Sequence, residues 1–243
     1  MKITINHIFS GGHRCNSVDF LKTRSLRMVS GPFDYTFIDI ESTFKIINNN
    51  FEDYLCDIVV FNKNQATLIH KKNTSIVNES FYGLKDVNYM GESYNDNTLL
   101  FNQNYVLGVT PNLYDFDRIL EFHHHPLTDN SVYVKMESSV LRFKNTLLTN
   151  DPIALFYITK IISDENVYMD YVLNIKKKYN IHTYLIIIIN CGRVGRFFIN
   201  GCLFILKKVK SYDLQFLEKN ADNNLNFDDE YNVIKEYFDF QLK

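Results

Sequence analysis

The amino-acid sequence predicts an α/β fold: a single domain with a mainly parallel central sheet flanked by helices and a loop-rich insertion in its middle. Three observations point there. First, an apolar run over Ile153 to Thr159 is followed by a helical pattern over 164–179 and by a second apolar run over Thr183 to Asn190. Strand, helix and strand in that order form a βαβ unit, whose strands pair in parallel. Second, the chain opens in the same style, with an alternating strand, a Gly-Gly turn and a helical pattern from Cys15. Third, 46% hydrophobic and 15% aromatic residues supply the apolar surface that a core needs and exclude a disordered chain. No repeat or linker divides the 243 residues, so one domain over 1–243 is expected.

Residues 2–9 carry Ile3, Ile5 and Ile8 and read as one strand, closed by the Ser10-Gly11-Gly12 turn. Cys15 to Leu26 reads as a helix with Val18 and Leu21 inward, ended by Ser30-Gly31-Pro32. A second helix is expected over 38–55, because Ile40, Phe44, Ile47, Phe51 and Leu55 follow the helical period. Short strands over 58–61 and 66–69 open a variable insertion, 58–117, whose Asn-, Ser- and Tyr-rich stretch over 73–112 has weak periodicity. Ser131 to Leu148 is a helix with Val132, Met136, Val140, Phe143 and Leu147 inward. After the βαβ unit, 197–209 reads as one or two strands and 232–240 as a short terminal helix.

Charge excludes one class of function. Lys plus Arg number 26 and Asp plus Glu 28, a net charge of −2, whereas nucleic-acid binders carry a basic excess. The longest apolar run, Tyr184 to Ile189, is far short of the roughly 20 residues that cross a bilayer. The N-terminal stretch lacks the continuous apolar segment of an export signal. The four cysteines, 15, 56, 191 and 202, form no C-x-x-C pair and suggest no disulfide framework. A reducing, cytoplasmic location is expected, with no membrane span.

Chemistry concentrates in two places. Cys15 follows Gly11-Gly12-His13-Arg14 at the predicted start of a helix. Backbone N–H groups and the positive end of a helix dipole stabilise a thiolate there, and the same groups hold an oxyanion in acyl transfer. The alternative is a packing cysteine, the commoner fate of a free Cys. The second place is His123-His124-His125. An imidazole titrates near neutral pH and suits a general base for Cys15. A metal site and a plain polar loop are the other readings, although neighbours on a strand point to opposite faces and do not converge on one ion. Asp34 is an orienter for a histidine or a turn and cap residue. Asp129 and Asn190 are further orienters, Asn190 lying at the C-terminal end of a parallel strand, where open α/β sheets bind ligands. Gly192-Arg193-Val194-Gly195 is no dinucleotide fingerprint, and neither a nucleophile elbow nor a phosphate-binding Gly-Lys-Ser/Thr loop is present.

Several of these residues together resemble a bacterial domain of unknown function labelled putative papain-like cysteine peptidase. The matching pieces are Gly12-x-x-Cys15 before a helix, Arg27, Pro32-Phe33-Asp34-Tyr35 and Phe51-Glu52-Asp53-Tyr54-Leu55. Phe122-His123-His124, Leu141-Arg142-Phe143 and Pro152-Ile153-Ala154-Leu155-Phe156 follow in the same order. The resemblance implies Cys15 as nucleophile. The family-like Phe-x-His spacing lands on His124 as base, with His123 and His125 as alternates. Asp34 is the first choice of orienter and Asn190 the second. It further implies a cysteine-dependent hydrolase, peptidase or acyltransferase connected with surface polysaccharide biosynthesis. Its substrate is an acyl-bearing peptide or glycan. No cofactor or metal is expected, apart from an acyl-CoA donor if the reaction is acyl transfer. The alternative is a non-catalytic glycan- or protein-binding module using residues 73–114.

Overall fold

Ile153–Thr159 is buried along its whole length, and Thr183–Cys191 is buried at every position but Tyr184 and Cys191. Strands with no polar face must be covered on both sides. In the computed structural model of the chain, which describes residues 2–12, 15–36, 38–62, 65–69, 98–106, 119–122, 125–159, 165–208 and 227–243, they are. In chain order the elements are β1 (Ile3–Ile5), β2 (His7–Ser10), α1 (Cys15–Thr23), α2 (Ile40–Asn48), β3 (Ile58–Asn62), β4 (Gln65–Ile69), β5 (Thr98–Val106) and β6 (Ile119–Glu121). They continue as α3 (Asn130–Leu147), β7 (Ile153–Thr159), α4 (Glu165–Tyr179), β8 (Thr183–Cys191), β9 (Gly195–Ile199), β10 (Cys202–Lys208), α5 (Asp228–Tyr237) and β11 (Phe238–Phe240).

The central sheet runs β2-β7-β8-β10-β9. Its first four strands are parallel, and β9 is an antiparallel edge. The three segments expected to build a parallel sheet therefore do so. Alternation along the strands sorts the core into two layers. Phe9, Leu155, Tyr157, Leu185, Ile187 and Phe204 face α2, α3 and α4. Ile8, Phe156, Ile158, Ile186, Ile188 and Leu203 face α1 and α5. A hairpin joins β9 to β10 through Asn200 and Gly201, both with positive φ (49° and 85°), the two-residue turn whose twist suits paired strands.

Four sequence expectations are corrected in detail. The expected strand over 2–9 is two strands. Its apolar phase slips between Ile5 and Ile8, and the chain bends at Asn6, where the N–H groups of Asn6 and His7 both donate to Pro152 O (2.9 and 3.3 Å). β1 leaves the central sheet and pairs with β11. The first helix ends at Thr23 rather than Leu26, because Ser25 is left-handed (φ 55°). The second spans 40–48 rather than 38–55. It stops in an Asn run, with Asn50 and Phe51 left-handed (φ 54° and 62°), and asparagine tolerates that region. The terminal helix begins at Asp228 and ends at Tyr237. Phe238-Asp239-Phe240 alternates apolar and polar residues and is a strand.

Three strands of the insertion and β6, just beyond it, form a second sheet, β4-β3-β5-β6, antiparallel throughout. β5 is a nine-residue strand where only short ones were expected. Most of the Tyr- and Asn-rich stretch 73–114, offered above as a contact surface, lies outside the described residues. Among the described residues no helix is long and apolar enough to cross a membrane.

Candidate active site

The first residues of the turn after β2 are held by hydrogen bonds. Gly11 N donates to Phe156 O (2.8 Å), Thr43 Oγ1 donates to Gly11 O (2.8 Å), and Gly12 N donates to Ser10 Oγ (3.2 Å). Gly12 is left-handed (φ 97°), and a Cβ there would lie 2.2 Å from Ile38 Cγ2, so the position requires glycine. Three residues later α1 begins with Cys15 at its first position, with no acidic residue in its first turn to compete with a thiolate. Ser17 Oγ accepts from Ile158 N (3.1 Å) and pins this helix end against the C-terminal part of β7. The side chain of Cys15, and residues His13 and Arg14, lie outside what is described.

The turn Gly31-Pro32-Phe33-Asp34-Tyr35 reaches the middle and last turn of α1 through Tyr35. Asp34 is buried. Its Oδ2 accepts from Arg27 Nε (2.8 Å) and from Gly31 N (3.1 Å), and Arg27 Nη2 lies 2.7 Å away. Burial pushes the Asp34 carboxyl above its ordinary value, and Arg27 opposes that rise. Tyr35 adopts a left-handed backbone (φ 56°), rare for an aromatic residue. Its hydroxyl accepts from Lys22 Nζ and lies 3.4 Å from Asp19 Oδ1, both on α1.

On the other side of Tyr35 lies His125, at a ring separation of 6.4 Å. His125 Nε2–H donates to the main-chain carbonyl of Asp34 (2.8 Å). Asp34 therefore reaches the histidine run through its backbone, while its carboxylate holds Arg27 and Gly31. His123 and His124 lie outside the described residues; the flanking Phe122 and His125 fix both ends of that step in the chain, with His125 N donating to Phe122 O (3.3 Å).

Burial lowers the His125 pKa below its ordinary value. The folded state then binds fewer protons than the unfolded chain in the window just under pH 6.5. His125 thus contributes stability that is present above about pH 6.5 and is lost as pH falls. Melting temperature is expected to drop between pH 7 and pH 5 more steeply for the wild type than for His125→Asn. Parallel pH profiles would refute this assignment.

One aromatic cluster supports both turns. Phe33 meets Phe51 (5.7 Å), Tyr54 (5.6 Å) and Phe143 (6.1 Å), Tyr54 meets Phe122 (5.6 Å), and Phe9 of β2 meets Phe143 (4.8 Å). The Tyr54 hydroxyl donates to Pro32 O. Most of these aromatic residues come from the separated pieces that carried the resemblance, and together they place Asp34 and His125 beside β2. Sequence reasoning missed Tyr54, Thr43 and Ser17 as supports. The long sequence separations of Tyr54 from Pro32 and of Ser17 from Ile158 left no local signal.

The other candidates are distributed as follows. Asn190 is the next-to-last residue of β8, on the α1/α5 face with Ile186 and Ile188. It is buried, and among the described residues its Oδ1 has no hydrogen-bond partner. Asp129 caps α3, accepting from Ser131 N (2.8 Å). Cys202 is fully buried, and desolvation pushes its thiol up to about 12, which leaves it inert at neutral pH. Cys56 and Cys191 are half-buried. No three His, Cys, Asp or Glu side chains gather into a metal-binding group among the described residues.

No curated protein and no solved structure matches the chain. The sequence model of one family, described as "Putative papain-like cysteine peptidase (DUF1796)", matches residues 6–192, which run from the bend before β2 to the end of β8, and the chain belongs to that family.

Proposed function

We propose that the protein is a cysteine-dependent hydrolase in which Cys15 is the nucleophile and His124 the base. The observation that carries this reading is the placement of Cys15. It opens α1 behind a glycine turn at the C-terminal end of a parallel strand, with the anchored His125 joined to the same helix through Tyr35. Cys15 Sγ gives its proton to His124 and attacks the acyl carbon, whose oxygen takes up the negative charge against N–H groups of the turn. The bond to the leaving group then breaks, and the imidazolium returns the proton to that group. Water, activated by the same imidazole, releases the acid and restores the thiol. Asp34 acts here as a positioning residue through His125, and Asn190 offers an acceptor near the C-terminal end of β8, two strands from β2.

The substrate is an acyl-bearing molecule, a peptide or a substituted glycan. If a glycan hydroxyl replaces water, the same steps make an acyltransferase drawing on an acyl-CoA donor in surface polysaccharide biosynthesis. Iodoacetamide labelling with peptide mapping tests the core of this reading. Cys15 is expected to be labelled fastest, below pH 7, ahead of Cys56 and Cys191 and with Cys202 unlabelled. A faster thiol at 56 or 191 would overturn the choice of nucleophile.

A further inference from the structure

The outer face of α3 carries a row that no described residue covers. Val134, Leu141 and Leu148 are 48%, 59% and 75% exposed and fall seven residues apart, so they lie in line along one side of the helix and its C-cap. Scattered single exposed aliphatics need no explanation. Three at heptad spacing form one continuous apolar row along the helix, the arrangement of the a positions in paired helices.

The charges flanking the row say what pairs with it. Glu137 has no basic residue three or four positions away, and Lys144 has no acidic one; their neighbours at those spacings are Tyr133, Val134, Val140, Leu141, Leu147 and Leu148. On its own helix Glu137 takes a hydrogen bond from the Tyr133 hydroxyl, a neutral partner that leaves its charge uncompensated. At about 100° and 1.5 Å per residue, Glu137 and Lys144 lie on the same flank of the row, roughly 6 Å before and 4.5 Å after Leu141. Ser138 and Asn145 occupy the opposite flank at the mirrored heights.

We propose that this face of α3 binds a second copy of the same chain, antiparallel about a two-fold axis at Leu141. In that arrangement Leu141 meets Leu141 of the other copy, and Val134 meets Leu148 at both ends. Glu137 and Lys144 come within about 1.5 Å in height on one flank, twice, and Ser138 meets Asn145 on the other. A parallel pairing would swap the flanks and set Glu137 against Ser138 and Lys144 against Asn145, leaving no opposite charges together. The opposite charges meet only in the antiparallel orientation, which therefore has the charge complementarity that the parallel one lacks. Arg142 Nη2, beside the row, donates to Ser30 O (3.3 Å). One helix face per copy is a small interface, so the association belongs to the weak class, with a dissociation constant on the order of 10 µM.

Sedimentation equilibrium of the full chain reads this directly. The weight-average mass is expected to climb from 28.7 kDa toward twice that value between about 1 and 300 µM. Leu141→Glu, at an exposed position that leaves the fold intact by its melting curve, is expected to stay monomeric throughout. Glu137→Lys and Lys144→Glu are each expected to be monomeric, because each sets like charges together. Their equimolar mixture is expected to dimerise again, since the two basic side chains on this flank of the first variant then meet the two acidic ones of the second. A wild type that stays monomeric, a Leu141→Glu variant that still dimerises, or a mixture no heavier than its components would each overturn the proposal.

Discussion

His124→Ala is expected to slow alkylation of Cys15 at pH 6 by about 10²-fold. A thiol with the ordinary pKa of about 8.5 is only about 0.3% ionised at that pH. A cysteine at a helix N-terminus and paired with an imidazolium has its pKa brought to about 6 or lower and is half ionised or more. The ratio of thiolate fractions sets the expected factor, reduced somewhat because a less basic thiolate is a weaker nucleophile. Turnover of an acyl substrate is expected to fall further, by about 10²–10⁴-fold, because the base also moves the leaving-group proton. His123→Ala is expected to stay within about threefold of the wild type, since its place in the run lies one residue from the Phe-x-His spacing. The pH dependence separates chemistry from damage. Near pH 9.5 both proteins hold mostly thiolate, and their rates should converge if His124 acts by proton transfer. A deficit that persists there marks a structural lesion. A wild-type rate in His124→Ala, with loss in His123→Ala, moves the base to the neighbouring residue.

Gly12→Ala is expected to cost about 2–5 kcal/mol of stability, from about 1–2 for a side chain in the left-handed region and about 1–3 for overpacking. The structural cause is specific. The new methyl would stand 2.2 Å from Ile38 Cγ2, in the strand-to-helix turn that also sets where α1 begins. Any relief by movement of the turn displaces Cys15, so alkylation of that thiol should slow together with the loss of stability. Gly11→Ala is the control. Its methyl would meet Ile40, Phe156 and Tyr157 at 3.4 Å, ordinary contact, at a backbone angle any residue adopts. Urea melts of the two variants read the difference. A Gly12→Ala midpoint equal to that of Gly11→Ala would show that the turn is not the constraint described here.

The parallel sheet and its βαβ unit could be read from the chain alone, because a strand buried on both faces leaves a continuous apolar run, as in β7 and β8. The amphipathic span of α3 was legible for a similar reason: burial on one side imposes a period of 3.6. Element ends were less so. Helical spacing carries on through Phe51 and Leu55, yet α2 stops at Asn48, because the pull of the aromatic cluster on Phe51 is a tertiary force with no local period. Cys15 and the histidine run were visible as residue types beside glycine and proline turns. Their relation was not. That Asp34 grips Arg27 with its carboxylate and His125 with its carbonyl follows from contacts spanning 7 and 91 residues of chain, respectively. A sequence carries the chemistry of each side chain, whereas which atom of a residue faces which partner is settled only when distant segments pack.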